Sequence, residues 1–534
     1  MKKVLLFCFL AGYSITFAQT ELVFVYFNNK PNKAAFYANP LSELTQKSLD
    51  RRTALGIALN DQDAPIEQSY IQNIQNLGFT VTDYSKWLNG VAVNANQAQV
   101  NLIKAQPFVQ SVESFAKISS LVVKMQNTNK WETFEQAQKA LTIFDYGSGS
   151  EQIDQINLRP LHLAGFTGTG VTIAVIDTGF PTINTGSAFS RLWTNNKIKG
   201  GYDFVTKTTN IYDSSLNNHG TVVLGAIGGY ILNTFVGSAP DADFYLYRSE
   251  NATIEVPEEE LYWIEAAEEA DRKGVDIITT SLGYATFNDP KYSYTYANMN
   301  GTTSFIARAA EIAVNKGIFV LTAAGNSGEQ TWHYILTPAD NAKVFSIGSV
   351  DSAGASSGFS SYGPNSAGIT KPDASTRGTT STTVNDGSTI TVSGTSIATP
   401  IAAGGVACLI QAFPAMNRDL LRTKLRQTAS LYPSFTDQMG FGILNFANLY
   451  NSVLNTSELV KKDKLAIFPN PVQSILNIAT ESDVLSLEIY DNLGRLILKS
   501  KNQKSVKVED FAKGTYYLKI QVKDKAYFEK FLKE

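Results

Sequence analysis

The stretch Gly394–Pro400 reads GTSIATP and continues into Ile401–Ile410, in which every side chain is small or apolar. A helix over Ile401–Ile410 would be apolar on all sides, so it has to be buried in the core of a domain. At the start of such a helix, Ser396 would lie beside unsatisfied backbone N–H groups and the positive end of the helix dipole. This position suits a nucleophile, although an ordinary Ser/Thr cap is the simpler interpretation of an isolated Gly-Thr-Ser.

Two further segments favour the nucleophile. Val171–Ile176 is a short apolar run typical of a fully buried parallel strand. Asp177 follows at its carboxyl end, where open α/β sheets place their sites. Asn217–Val223 carries His219 and leads into another segment of small residues. The chain therefore presents Asp, His and Ser in that order, which is one of the three orders known for the serine triad and the one that belongs to the subtilisin fold.

On these motifs the chain resembles the subtilase family of serine peptidases, from about Gly168 to Tyr450. The motifs are Asp177–Gly179, His219–Thr221, Ala323–Asn326 and Gly394–Pro400. The chain departs from the family at two places: Val222 stands where a second histidine is frequent, and Ala374–Gly378 replaces a Val-x-Ala-Pro-Gly sequence. Neither departure changes a triad position, so we expect them to affect subfamily and pocket shape rather than activity.

Strand and helix patterns alternate along the part of the chain that carries these motifs. Apolar or β-branched runs predict strands at 243–247, 275–280, 318–323 and 344–350, and helical spacing predicts helices at 258–273 and 303–316. Such alternation predicts an α/β fold with a doubly wound, mostly parallel sheet, which the resemblance makes subtilisin-like. A sheet of this kind brings distant loops together at one edge, so Asp177, His219 and Ser396 can meet there.

Residues 1–18 have the layout of a secretory signal peptide, with two lysines, an apolar run and small residues before Gln19. Cys8 lies in this segment and would be removed with it, so Cys408 would remain alone and no intramolecular disulfide is expected. A lipid anchor on Cys8 is the alternative, but this cysteine lies in the middle of the apolar run. Cys408 itself is expected to be a small buried hydrophobic residue.

Residues 19–117 have the pattern of a small α+β domain. Strands are predicted at 22–27, 79–84, 90–93 and 108–115, and helices at 66–77 and 97–105. In front of a subtilase domain, this unit looks like the family's propeptide, which assists folding and blocks the cleft until it is removed. An unrelated accessory domain is the alternative. A linker and processing region is expected at 118–155, exposed around Gly147–Ser150, and the catalytic domain at 156–454.

After a second linker at 455–463, residues 464–534 show alternating strand patterns, as at 485–490 and 516–520, with a turn at 492–494. They predict a small antiparallel β-sandwich. Four segments resemble the C-terminal sorting domain of the type-nine secretion system: Ile467–Val472, Ile489–Arg495, Gly514–Tyr517 and the closing Lys530–Lys533. This resemblance implies that the secretion machinery is a partner and that the protein is secreted or displayed at the cell surface. A carbohydrate- or protein-binding sandwich is the alternative.

The overall composition is that of a globular chain, with 43% hydrophobic and 17% charged residues. The formal net charge of -3 gives no reason to expect nucleic acid as a partner. After the signal segment, no run reaches the ~18 uninterrupted apolar residues that a membrane span requires. No transmembrane segment is therefore expected.

Ser396 needs a base within hydrogen-bond reach, because a free serine hydroxyl is a weak nucleophile at neutral pH. The chain contains three histidines, and only His219 has a glycine-flanked setting that permits close approach. His162 and His333 are expected to serve packing or surface roles. Asp177 would orient His219 and stabilise its cationic form.

The oxyanion and substrate sites follow from the resemblance. Asn326 would donate its side-chain amide to the tetrahedral oxyanion, with the N–H of Ser396 as second donor. Substrate would lie extended as an added strand beside the segment 281–283. The walls of the pocket for the residue before the scissile bond would be Ser281, Leu282, Gly283, Ala323, Ala324 and Gly325. These walls are small and uncharged, which predicts a broad preference for apolar or aromatic side chains.

No cofactor is required for this chemistry. Structural calcium is frequent in the family, and Asp203, Asp213 and Asp289 lie in predicted loops. No loop, however, has regular ligand spacing, so no metal site is assigned.

The sequence therefore predicts a secreted serine endopeptidase, made as a preproprotein, that hydrolyses protein or peptide substrates. The reaction would proceed through Asp177, His219 and Ser396 and an acyl-enzyme. The alternative is a catalytically inactive, surface-displayed relative used for adhesion or binding. A missing triad residue would favour that alternative, and none is missing.

Overall fold

The computed structural model describes residues 20–117, 144–459, 466–480, 483–491, 495–523 and 525–534. The chain divides into two compact units, Met1–Tyr450 and Asn451–Glu534. The predicted signal peptide lies outside the described residues. So do positions 118–143 of the predicted processing region, 460–463 of the second linker and the predicted turn at 492–494.

The N-terminal domain is an antiparallel sheet of four strands with helices against it. Its strands are β1 (Glu21–Phe27), β2 (Tyr84–Ser85), β3 (Gly90–Ala95) and β4 (Val109–Ser114), in the order β2-β3-β1-β4. Its helices are α1 (Lys33–Ala38), α2 (Gln46–Leu55), α3 (Gln68–Asn76) and α4 (Gln97–Lys104). The α+β prediction is confirmed, but the predicted strand at 79–84 is wrong. Of these six residues, only Tyr84 lies in a strand, and Phe79 enters the domain core from a loop. Helices α1 and α2 have no counterpart among the predicted elements.

Alternating residues of β1 serve two different cores. Val23 and Val25 pack with residues of α3 and α4. Leu22 and Phe24 point to the opposite face and pack with Phe305 and other residues of the following domain. Because successive side chains of a strand point to opposite faces, one apolar strand can join the small domain to the larger one.

The central domain is built on a parallel sheet of seven strands. These are β5 (Thr172–Asp177), β6 (Ile198–Asp203), β9 (Asp243–Arg248), β10 (Ile277–Thr280), β11 (Phe319–Ala323), β12 (Phe345–Val350) and β13 (Ala374–Arg377). Two short hairpins, β7 (Tyr230–Ile231) with β8 (Phe235–Val236) and β14 (Ser381–Asn385) with β15 (Ser388–Val392), lie outside this sheet. The order is β13-β12-β11-β10-β5-β9-β6. The strand order changes direction at β5, and in open α/β sheets such a switch point marks the site.

Helices complete the central domain: α5 (Ser150–Gln155), α6 (Arg159–Leu163), α7 (Ser190–Thr194), α8 (His219–Gly228), α9 (Glu258–Lys273), α10 (Phe305–Asn315), α11 (Thr395–Ala412) and α12 (Arg418–Gln427). The helix α13 (Phe446–Leu459) begins in this unit and ends in the second one. The doubly wound α/β prediction is confirmed. Every residue of α8 is buried, and so is α11 from Thr395 to Ile410, as its composition predicts. Within the described residues, α11 alone has the length and apolar composition of a membrane span, and it lies almost entirely inside the domain.

Charged side chains fasten the N-terminal domain to α9. Glu268 accepts the hydroxyl of Ser85 at 2.6 Å and the backbone N–H of Trp87 at 3.0 Å. Asp271 pairs with Arg52 at 2.7 Å and also with Arg51. These groups are buried, so each charge depends on its partner across the boundary between the two domains.

The segment just before the central domain is packed rather than exposed. Gln152 exchanges two hydrogen bonds of 2.9 Å with the backbone of Thr382. Tyr146 is 1% exposed. The prediction of an exposed linker around Gly147–Ser150 is therefore wrong, because this short stretch joins the hydrogen-bonded surface of the central domain.

The C-terminal unit is a sandwich of two antiparallel sheets, as predicted. One contains β16 (Ala466–Phe468), β17 (Ile475–Ala479) and β20 (Ser505–Lys507), and the other contains β18 (Val484–Tyr490), β19 (Leu496–Lys501), β21 (Gly514–Val522) and β22 (Lys525–Lys533). Leu476 and Ile478 of the first sheet share one core with Ile489, Leu518 and Phe531 of the second. The alternating pattern places these apolar residues between the sheets.

Candidate active site

Asp177 and His219 form a buried pair at the carboxyl end of β5. His219 Nδ1 lies 2.5 Å from Asp177 Oδ1, and the two side chains are 6% and 1% exposed. A carboxylate can only accept, so in the neutral ring Nδ1 carries the proton and Nε2 is the basic nitrogen. The same carboxylate oxygen accepts the backbone N–H of Thr178 at 2.8 Å, which orients it for the imidazole.

A glycine lets α8 approach the loop after β5. A β-carbon on Gly220 would lie 2.4 Å from the carbonyl oxygen of Gly179 and 3.1 Å from Asp177 Cβ. A larger residue would have to push the start of α8 away from the sheet. Gly220 therefore allows the short contact between His219 and Asp177.

Ser396 lies in the first turn of α11 and is 4% exposed. Pro400, one helical turn further on, has no N–H, so it cannot bond to the carbonyl oxygen of Ser396. That oxygen instead accepts the hydroxyl of Ser281 at 2.8 Å. Ser281 directly follows β10, the neighbour of β5 in the sheet. The start of α11 is thus held at the sheet edge at which Asp177 lies.

Asn326 lies in the loop after β11 and is oriented by Thr395. Its Oδ1 accepts the backbone N–H of Thr395 at 2.9 Å and the hydroxyl of the same residue at 2.8 Å. The amide oxygen is therefore committed to the start of α11. The amide nitrogen, Nδ2, can therefore donate a hydrogen bond to a bound group.

Gly394 leaves a small space beside these donors. Its φ is 155°, and a β-carbon there would lie 2.7 Å from Ser396 Oγ, 3.5 Å from Asn326 Nδ2 and 3.7 Å from Ser396 N. The hydroxyl of Ser396 and two N–H groups thus surround the position that a β-carbon of residue 394 would occupy, and a glycine at 394 leaves this position empty. An anionic oxygen placed near it could receive both N–H groups.

The six predicted wall residues form two segments at the same edge. Ser281–Gly283 follows β10, whereas Ala323–Gly325 spans the end of β11 and the start of the next loop. The two strands pair in parallel with Thr280 opposite Thr322. The structure therefore brings both wall segments next to the start of α11.

The other two histidines lie elsewhere. His162 is buried, with Nδ1 2.6 Å from the hydroxyl of Tyr146 and Nε2 3.1 Å from the carbonyl oxygen of Ser238. Burial lowers the pKa of His162 to about 4. His333 lies with Nδ1 3.1 Å from the carbonyl oxygen of Gly328. Both make packing contacts.

Cys408 is free and buried. Its sulfur lies 3.6 Å from the carbonyl oxygen of Ser238, and burial raises the pKa of its thiol. It is thus the small buried residue that its apolar surroundings in the sequence predict.

The three aspartates considered for calcium are engaged locally. Asp203 forms an ion pair with Arg248 at 2.8 Å, while Asp213 and Asp289 accept hydrogen bonds inside their own loops. Among the described residues, one group of three acidic side chains has ligand atoms that all lie within 4.8 Å of one another, and it consists of Glu250, Glu255 and Glu259.

Hydrogen bonds hold that acidic group in place. Burial, followed by the charges of Glu250 and Glu255, raises the pKa of Glu259. Glu259 accepts the backbone N–H groups of Asn251 at 2.7 Å and Val256 at 3.2 Å, and Glu250 accepts the hydroxyl of Tyr284. We assign no metal to this group, because buried carboxylates that receive backbone and hydroxyl donors can lie close together without a cation.

Sequence reasoning missed two contacts that position the site. The hydroxyl of Thr395 orients Asn326, and the hydroxyl of Ser281 holds the carbonyl of Ser396. Pro400 was the available signal for the second contact, because a proline four residues after Ser396 leaves that carbonyl without a helical partner.

Comparison with known proteins identifies three regions of the chain. A model of the subtilase family matches residues 168–443, and a model of the peptidase S8 propeptide domain of Bacteroidota matches residues 22–133. A model of the secretion system C-terminal sorting domain matches residues 466–534. The propeptide and sorting-domain predictions are thereby confirmed.

Curated relatives include several subtilisins. Subtilisin E of Bacillus subtilis is 28% identical over 377 residues, which cover 70% of this chain and 83% of that protein. Subtilisin Savinase of Lederbergia lenta is 30% identical over 301 residues, covering 55% and 95%. The crystal structure of an alanine mutant of the epidermin leader peptide processing serine protease from Staphylococcus aureus has a TM-score of 0.54 and 16% identity, covering 81% of this chain and 99% of that chain. The chain therefore belongs to the subtilase family and is a serine endopeptidase with an N-terminal propeptide and a C-terminal sorting domain.

Proposed function

We propose that the chain hydrolyses peptide bonds with Ser396 as nucleophile, His219 as general base and Asp177 as the residue that orients and stabilises the imidazole. The observation that carries this proposal is the 2.5 Å contact between His219 Nδ1 and Asp177 Oδ1, buried at the sheet edge where α11 begins. A carboxylate in this position fixes the tautomer of the ring and stabilises the cation that forms when Nε2 takes a proton.

Acylation begins when Ser396 Oγ attacks the carbonyl carbon of the scissile peptide bond. As the C–O bond forms, the proton of the hydroxyl passes to His219 Nε2 and the carbonyl electron pair moves to the oxygen. Asn326 Nδ2 and Ser396 N, which flank the space beside Gly394, donate to that oxygen. The C–N bond then breaks, the leaving amine takes the proton from His219, and the acyl group stays on Ser396 as an ester.

Deacylation repeats these steps with water. His219 Nε2 accepts a proton from the water molecule while its oxygen attacks the ester carbonyl. The same two N–H groups stabilise the second oxyanion. The ester C–O bond breaks, Ser396 recovers its proton from His219, and the carboxylic acid product leaves. Apart from substrate and water, the groups that act in these steps are side chains and backbone N–H groups of the chain.

We propose that protein or peptide substrates bind as an extended strand beside Ser281–Gly283. An extended segment can pair with an exposed backbone edge, so affinity would come from main-chain hydrogen bonds and selectivity from side-chain pockets. The pocket for the residue before the scissile bond would lie between Ser281–Gly283 and Ala323–Gly325.

The maturation scheme is also a proposal. Residues 1–18 would be removed as a signal peptide, and the propeptide would be cleaved off within 118–143, because residues 144–155 pack onto the central domain. The catalytic domain would therefore begin at about Phe144 rather than at Ile156 and end near Leu454. The sorting domain, from Lys464 onward, would direct secretion or attachment at the cell surface through the type-nine machinery.

A fluorophosphonate probe tests the assignment of the nucleophile. We expect the secreted protein to be labelled at one serine and a Ser396→Ala variant not to be labelled. Ser393→Ala is the matched control, because Ser393 lies three residues before Ser396, between β15 and α11, and its hydroxyl accepts the backbone N–H of Thr380. Full labelling of Ser396→Ala would contradict the proposal.

A further inference from the structure

A short segment crosses the base of the cleft between the two wall segments. The backbone N–H of Leu336 donates to the carbonyl oxygen of Ala324 at 3.1 Å. One residue further, Thr337 exchanges hydrogen bonds of 2.9 and 3.1 Å with Tyr284, which directly follows Gly283. The segment 335–337 is therefore tied to both walls and forms a floor between them.

The side chain of Leu336 occupies the gap between the walls. A β-carbon on Gly283 would lie 2.9 Å from Leu336 Cβ, and one on Gly325 would lie 2.7 Å from Leu336 Cγ. Atoms at such distances would overlap, so the leucine fills the space that these two glycines leave. The glycines open the walls, and Leu336 takes up much of the room they create.

Burial along the segment shows where this side chain points. Ile335 and Thr337 are each 0% exposed, whereas Leu336 between them is only half-buried. Successive side chains of an extended segment point to opposite sides, so Leu336 points away from the core to which its neighbours belong. One side of the leucine touches the walls, and its exposed part faces solvent.

We propose that Leu336 is the specificity-determining residue of the pocket for the residue before the scissile bond, and that it selects small side chains such as alanine, glycine or serine. This inference rests on the proposed function, which locates the pocket between the two wall segments. It replaces the broad preference for apolar or aromatic side chains that the small walls predict. An aromatic ring would have to displace Leu336, whose backbone is fixed to both walls, whereas a methyl group can lie on top of it.

Competition between two peptide substrates for the secreted, processed protein tests the proposal. The peptides differ only at the residue before the scissile bond, which is alanine in one and phenylalanine in the other. The ratio of their kcat/KM values does not depend on the fraction of active enzyme. We expect the wild type to favour alanine by roughly 10-fold or more, the scale on which an apolar pocket discriminates by size. Leu336→Gly should reverse the preference, and Leu336→Ala should give an intermediate ratio.

Leu232→Ala is the matched control, because Leu232 is 69% exposed in the turn between β7 and β8 and should leave the ratio unchanged. A wild type that favours phenylalanine overturns the inference, even if neither Leu336 variant folds. So does an unchanged ratio in a Leu336→Gly variant that still takes up the fluorophosphonate probe. A wild type in which the fluorophosphonate probe does not label Ser396 would instead count against the proposed function.

Discussion

The surroundings of the two buried histidines differ in one respect, the charge of the group that contacts Nδ1. His162 and His219 are 3% and 5% exposed, and both have a close partner at Nδ1. The partner of His162 is the neutral hydroxyl of Tyr146, and a backbone carbonyl occupies Nε2. The partner of His219 is the carboxylate of Asp177. Burial by itself only disfavours a cationic ring, whereas a buried carboxylate beside Nδ1 compensates the charge that a base acquires.

The largest effect should follow from removing the base. We expect His219→Ala to lower kcat by about 10⁶-fold, because the serine then has no group to accept its proton. His162→Ala should leave kcat per labelled site nearly unchanged. It should instead lower the free energy of unfolding by about 2 to 4 kcal/mol, through a cavity and the stranded hydroxyl of Tyr146. Peptide hydrolysis and urea unfolding on both variants separate the two roles, and equal losses of kcat would contradict the comparison.

The next largest effect on kcat should come from replacing the carboxylate beside His219 by a neutral group, as His162 has. Asp177→Asn keeps the size of the side chain but removes its charge, and we expect kcat at neutral pH to fall by about 10⁴-fold because the ring adopts the wrong tautomer. The change should act on kcat far more than on KM. Steady-state kinetics decide the point, and an Asp177→Asn variant with wild-type kcat would mean that the carboxylate has no part in catalysis.

A third variant addresses the oxyanion without touching either histidine. Asn326→Asp keeps an oxygen that can accept from Thr395 but loses the Nδ2 donor. We expect a fall in kcat of about 10² to 10³-fold with little change in KM. Thermal unfolding should differ little from the wild type, since the contact with Thr395 is kept. A fall in stability without a fall in kcat would reduce Asn326 to a structural residue.

The smallest effect is the change that His162 makes in the free energy of unfolding as the pH falls. Burial lowers the pKa of His162 to about 4, well below its value of about 6.5 in an unfolded chain. Between these values the unfolded chain binds a proton that the folded chain does not, so this contribution to stability is complete above about pH 6.5 and is lost as the pH falls toward 4. The loss should amount to about 3 kcal/mol.

Urea midpoints at several pH values measure this loss in a Ser396→Ala background, which prevents self-digestion. His162→Gln should flatten the dependence between pH 6.5 and 4. An unchanged slope in that variant would show that other groups control acid stability.

Motifs predicted which residues lie at one edge of the sheet better than periodicity predicted the small elements. Asp177, His219 and Ser396 follow from a buried strand, a glycine-flanked histidine and an all-apolar helix, because each pattern has few structural solutions. The predicted strand at 79–84 failed because Phe79 is apolar for a different reason: it enters the N-terminal core from a loop. Local pattern cannot distinguish a buried loop residue from a strand residue.

The floor of the cleft could not be predicted either. Leu336 lies in a segment without a motif, and its place between Gly283 and Gly325 depends on hydrogen bonds to two distant walls. The prediction of an exposed segment before α5 failed for the same reason, since its glycines and serines are typical of an exposed linker. In both cases long-range packing, rather than local sequence, fixes the outcome.

The central claim is that one serine, served by the His219 and Asp177 pair, carries the acyl group during peptide hydrolysis. An acid quench of the enzyme with a slowly deacylating peptide ester, followed by peptide mapping in the mass spectrometer, tests it directly. We predict an acyl adduct on the peptide that contains Ser396, present in the wild type and strongly reduced in Asp177→Asn. An adduct on any other residue, or hydrolysis that persists in Ser396→Ala, would contradict the account.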